Sequence, residues 1–129
     1  MGQGLKGALK KGGLVMTNNK EYPSFNVTGN GKLEIVSSGK TLPFKLISMS
    51  AVGALVQMKE EIDISSQVII EIVLKSGFFD VRINAGGTAR MDNQSDSGYQ
   101  YEIAFTSLSE DEKNEINELL INSFDLSYV

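Results

Sequence analysis

The stretch from Gln67 to Lys75, "QVIIEIVLK", decides the fold. Val68, Ile70, Ile72 and Leu74 recur at every second position, while Glu71 and Lys75 punctuate the other side. A period of two sends alternate side chains to opposite faces of an extended chain, so this segment is a strand with one buried face. Ser76–Gly77 suits a tight hairpin. "FFDVRINAGGTARMD" then resumes with Phe79, Val81, Ile83 and Ala85 inward and Asp80, Arg82 and Asn84 outward.

The same rhythm runs outward in both directions. Upstream, "GKLEIVSS" places Leu33 and Ile35 on one face, and a turn at Gly39 leads to Leu42, Phe44 and Leu46 of "LPFKLISMS". Pro43 falls near that strand's start, where a missing donor does least harm. "ALVQMK" after Gly53 is a further strand. Downstream, Gly86–Gly87 predicts a bulge or sharp bend, "NQSDSG" a polar loop, and "YQYEIAF" a last strand with Tyr99, Tyr101, Ile103 and Phe105 on one face. Phe78 and the other aromatic residues of these strands are assigned to the core. The expectation is a mainly β protein, a six-stranded antiparallel barrel with short turns.

The period changes at "SLSEDEKNEINELLINSF", where Ile116, Leu119, Leu120 and Phe124 share one side of a helix. Ser109 and Glu112 have the spacing of a capping box. Glu110, Asp111 and Glu112 stand in the first turn, where the helix dipole favours negative charge. This C-terminal helix is expected to close one end of the barrel. Residues 1–19 read as a flexible basic arm, since "MGQGLKGALKKGG" holds five glycines and three lysines. Residues 20–124 form the barrel with its helix, and 125–129 a tail.

Composition narrows the function. The 129 residues fit one domain, and their 41% hydrophobic and 22% charged content is that of a globular protein. With no cysteine and no histidine, thiolate nucleophiles, Cys-ligated metals and the usual neutral-pH base are missing. Arginine occurs only at Arg82 and Arg90. Lys6, Lys10, Lys11 and Lys20 face no acid in the first 20 residues, whereas residues 91–129 hold nine acids against Lys113 alone. A net charge of −4 speaks against DNA or RNA as a general partner. No apolar run reaches the ~20 residues of a membrane span, and no signal-like apolar core opens the chain, which places it in the cytoplasm.

The segment "SMSAVG", Ser48 to Gly53, has S-x-S-x-x-G spacing between two strands and is followed by "ALVQ". Together with the late strand ending "TARMD" and the closing "YEIAFTSLSEDEKNEINELL", it resembles the PilZ family. These are small β-barrels that serve as receptors for cyclic di-GMP in bacteria. The resemblance covers roughly residues 20–122 and implies D/N-x-S-x-x-G in this turn and R-x-x-x-R shortly before the first strand. Here Ser48 stands where the family has Asp or Asn, while Ser50 and Gly53 are retained. A single hydroxyl cannot accept two bonds from a guanine edge as a carboxylate does. No arginine precedes Arg82. Lys20 is the nearest match to the family's second arginine, Met16 stands four positions earlier, and Lys6 and Lys10 have the spacing but lie far upstream.

The residues that the resemblance assigns to ligand binding are therefore Lys20, Ser48, Ser50 and Gly53, with Arg90 as an auxiliary contact. The simpler reading of Ser48, Ser50 and Gly53 is turn chemistry, that of the arm lysines a solvated tail, and that of Arg82 and Arg90 strand charges facing water. The expected function is a non-catalytic, degenerate PilZ-like adaptor acting on a protein partner in motility, pilus or surface-behaviour control. The alternative is a cyclic di-GMP receptor whose lysine arm folds over the ligand. An enzyme working through Glu60, Glu61 and Asp63 ranks third, and no metal is expected.

Overall fold

The computed structural model describes residues 22–63, 67–75, 77 and 80–126. Six strands carry the barrel: β1 (Phe25–Ile35), β2 (Lys40–Met49), β3 (Gly53–Met58), β4 (Gln67–Lys75), β5 (Asp80–Ser95) and β6 (Gly98–Phe105). Helix α1 (Glu110–Ser123) and a two-residue strand β7 (Asp125–Leu126) follow. All neighbours are antiparallel in the order β2-β3-β6-β5-β4-β1, and the β2–β1 pairing closes the ring. The expected six-stranded barrel with a C-terminal helix is the architecture found.

Closure rests on β1, which pairs with β4 on one flank and β2 on the other across Gly29–Ile35. Its strand begins at Phe25 and not at Lys32. Phe25 and Val27 are buried, but the "TGNG" that follows interrupts the apolar alternation that marks a strand in sequence. Crowding there is severe. A Cβ on Gly31 would lie 2.0 Å from the Glu71 carbonyl oxygen and 2.6 Å from Phe44 Cζ, so only glycine lets the three strands meet.

The interior follows the expected phase. Val68, Ile70, Ile72 and Leu74 of β4 are all within 1% of complete burial, as are Leu33, Val56, Tyr101 and Ile103. In β2 the phase slips. Leu42, Phe44 and Leu46 face inward, but a bulge after Leu46 turns Met49 into the core and leaves Ile47 and Ser48 half-buried. The bulge predicted at Gly86–Gly87 is not there. β5 stays in register with β4 from Asp80 to Thr88, and its irregularity falls between Met91 and Asn93. Likewise "NQSDSG" is mostly strand, with only Asp96–Ser97 in the turn between Ser95 and Gly98. Ser76, Phe78 and Phe79 lie outside the described residues.

The helix forms as its sequence predicts. Ser109 Oγ accepts from the Glu112 N–H at 3.2 Å while the Glu112 carboxylate accepts from the Ser109 N–H at 2.9 Å. Ile116 and Leu120 are buried, and Leu119 and Phe124 pack against the core. Asp125–Leu126 is not part of a free tail, because it pairs with Phe25–Asn26 of β1. Between β3 and β4, the Ile62 N–H donates to the buried Tyr101 hydroxyl at 2.8 Å and pins that link over the core.

These contacts have measurable weights. Gly31→Ala should lower the unfolding free energy by about 3 kcal/mol, since the new methyl must push backbone aside. Urea unfolding measures this, and a loss below roughly 0.5 kcal/mol would contradict closure through β1. Tyr101→Phe strands the Ile62 N–H and should cost about 1–3 kcal/mol by the same assay.

Acid sensitivity follows from the helix start. Capping bonds from Ser109 hold the Glu112 carboxyl below its ordinary value of 4.5, and Lys113 does the same for Glu110. Depressed carboxylates stabilise the folded state above the unfolded value, and that contribution disappears as pH falls through the folded values. Thermal unfolding should therefore lose midpoint temperature below pH 4.5. Glu110→Gln/Glu112→Gln should lose less over that range, and an identical slope in both proteins would refute the assignment.

Candidate functional site

The turn between β2 and β3 is held by its own backbone. The Ser50 N–H donates to the Gly53 carbonyl at 2.8 Å, and the Val52 N–H donates to Ser50 Oγ at 3.1 Å. The Val52 carbonyl in turn accepts from the Phe105 N–H at 2.9 Å, which ties the turn to the end of β6. Ser50 is 9% exposed and Ala51 fully buried, so the turn is a packed corner and not a loose loop. Ser50 thus does the turn chemistry that its type predicts. Its hydroxyl proton is a remaining donor.

Gly53 serves close approach of strands. It is absent from the positive-φ glycines of the described residues, which are Gly39, Gly77 and Gly98. A Cβ at Gly53 would lie 2.6 Å from the Ile103 carbonyl oxygen on β6, so the side chain is excluded by the neighbouring strand. Ser48 sits on the β2 bulge opposite Leu55 and Asn26, half-buried.

Ser48, Ser50, Gly53 and Arg90 all line one groove of about 730 Å³, with Tyr22, Ser24 and Lys113 also on its wall. Long-range pairing assembles it: β3, β6 and β5 run side by side, so Leu55, Glu102 and Arg90 stand in one row across the sheet. Lys20 and the arm lysines Lys6, Lys10 and Lys11 lie outside the described residues.

The groove's charge is balanced. Its described ionic residues are Arg90 and Lys113 against Asp92 and Glu102. Arg90 donates to the Glu102 carboxylate directly across the β5–β6 ladder. Lys113 Nζ lies 3.1 Å from Glu110 Oε2, which is the leading cause of the lowered Glu110 value. Both cations are thus engaged by carboxylates of the same fold. An anion entering here would compete with an internal partner for each one. Arg82 is likewise paired, 3.4 Å from Glu71.

Lys113, Glu102 and Tyr22 are groove residues that the sequence reading did not single out. Lys113 carries a signal, being the lone base among the helix acids. Tyr22 carries none, since only the fold brings its hydroxyl 3.1 Å from Asn114 Oδ1 and 3.3 Å from Glu110 Oε1. Glu60 is held by Lys40 at 3.1 Å. Among the described residues, no group of His, Cys, Asp and Glu has the arrangement of a metal site, and no helix is long and apolar enough to cross a membrane.

No family model and no curated protein matches the sequence. Solved structures do match. The Bacillus subtilis inhibitor of motility, MotI/DgrA, aligns over 84% of this chain with a TM-score of 0.66 at 10% identity. This chain spans about half of that protein's length, 51%. The PilZ domain of YcgR from Escherichia coli, solved with c-di-GMP, aligns over 79% of this chain and 88% of its own, with a TM-score of 0.54 at 12% identity. With the closed antiparallel barrel, the turn at Ser48–Gly53 and the capped C-terminal helix, the chain has a PilZ-like fold.

Proposed function

We propose that this is a non-catalytic PilZ-like domain of cyclic di-GMP signalling that acts as an adaptor, binding a protein partner in the control of motility, pilus or surface behaviour. The observation that carries this reading is the neutralised groove. Where nucleotide-binding barrels need guanidinium groups free to fork onto phosphate, Arg90 is occupied by Glu102 and Lys113 by Glu110. Asp92 adds a further negative charge to the wall. The Ser48–Gly53 turn retains Ser50 and Gly53 of the motif, but Ser48 lacks the carboxylate that would read a guanine edge. The association with motility comes from the similarity to the inhibitor of motility.

A second reading has one observation in its favour. Tyr22 lines the groove, and Lys20 precedes it by two residues in the sequence. In that reading the arm lysines close over cyclic di-GMP against Ser48, Ser50 and Gly53.

Isothermal titration with cyclic di-GMP at low and moderate salt separates the two. The adaptor reading expects no saturable heat at either salt. Micromolar or tighter binding that is lost in Lys20→Ala would establish the receptor instead. Glu102→Gln, which releases Arg90, should raise any residual affinity for the nucleotide, and no change would show that the ion pair does not guard the groove.

A further inference from the structure

We infer that a second concavity, the slot between the diverging ends of β2 and β3, is a docking site for an extended acidic and apolar segment of a protein partner. The inference rests on the adaptor reading and says where the partner sits. β2 and β3 pair only from Lys45↔Gln57 to Met49↔Ala54. Beyond that level Lys40–Phe44 is laddered to β1 alone, and Met58 to β6 alone. The strands separate, and the exposed Lys40–Glu60 ion pair, at 3.1 Å, spans the gap.

The separation opens a slot of about 580 Å³ walled by Pro43, Lys45, Gln57, Lys59 and Ser97, and by Glu60, whose carboxylate is held by Lys40. Leu42, Phe44 and Met58 form its floor. Pro43 is exposed and has no N–H, so it offers a bare apolar surface. The aliphatic stems of the two lysines extend that surface.

Charge singles out the kind of occupant. Among the described residues Lys40, Lys75, Arg82, Arg90 and Lys113 are ion-paired with carboxylates. Lys32, Lys45 and Lys59 form no such pair. Lys45 and Lys59 line the slot, and Lys32 stands outside it on β1, between Pro43 of β2 and Glu71 of β4. In a chain of net charge −4, two of the three unpaired cations of the described barrel therefore line one apolar opening. A partner's carboxylates would meet them without displacing an internal acid, unlike in the Arg90 groove. An extended segment fits because both walls are strands whose ladders stop at the slot. The lysines are too few, and the chain too acidic, for a nucleic-acid backbone.

The test uses the full chain labelled with ¹⁵N and two soluble synthetic heptapeptides. One alternates Glu with Val and Leu, and the other carries Lys in place of each Glu. Saturable amide shifts are expected at Leu42, Phe44 and Lys45 and at Gln57–Glu60 with the acidic peptide only. Lys45→Glu/Lys59→Glu, both at exposed positions, should weaken that binding roughly tenfold while leaving the remaining spectrum unchanged. Absent shifts, shifts confined elsewhere, equal response to the lysine peptide, or unaltered affinity in the double variant would each overturn the inference. Equal shifts with free glutamate would reassign the slot to small anions. Cyclic di-GMP added to the same sample reports separately on Ser48–Gly53. Shifts there would overturn the reading of the groove as nucleotide-free without touching the slot.

Discussion

Everything in this molecule depends on β1 being able to lie against two strands at once. A strand in a closed barrel has no spare edge, so its backbone is approached from both sides along its whole shared length. Gly29 and Gly31 are where that approach is tightest: a Cβ at either would fall within 2.4 Å of a β4 carbonyl oxygen. The ring that results fixes the row of Leu55, Glu102 and Arg90 and sets β2 beside the start of β1. The bulge in β2 then turns Met49 into the core and leaves Ser48 at the groove. Site geometry is here a by-product of closure.

The two concavities of the wall differ in electrostatics more than in size. One gathers cations that the fold has already matched with carboxylates; the other gathers cations without such partners. Individually, exposed ion pairs contribute little to stability. Their consequence is local: a guanidinium already bridged to a carboxylate presents a nearly neutral surface to an incoming phosphate. The Arg90–Glu102 pair follows from cross-strand register, because residues directly opposite on one face lie close enough to meet.

The strands were legible where apolar residues alternate without interruption. Val68 to Leu74 and Tyr101 to Phe105 have a single buried phase, and sequence reads it directly. The reading weakened where backbone crowding chose the residue. "TGNG" in β1 looks like a turn because glycine is the turn residue, yet it is strand made of glycine for lack of room. Gly86–Gly87 carries no bulge for a similar reason: a Cβ on Gly87 would meet the Ala104 carbonyl oxygen at 2.3 Å, so the residue marks a tight strand pair with regular register. In the groove, Ser48, Ser50 and Gly53 were visible as a motif in one contiguous stretch. The carboxylate opposing Arg90 was not, because Glu102, twelve residues away, becomes a neighbour only through register.

The short β7 strand has a consequence of another kind. Asp125 is paired with Asn26, so the points where the chain enters and leaves the barrel stand side by side. A folded unit with adjacent ends is a natural insert: it can be spliced into a surface loop of a larger protein without prying that loop apart. It also transmits force poorly through its core. Tension applied across the two ends would first unzip the two-residue ladder at Phe25–Asn26, sparing the closed ring behind it.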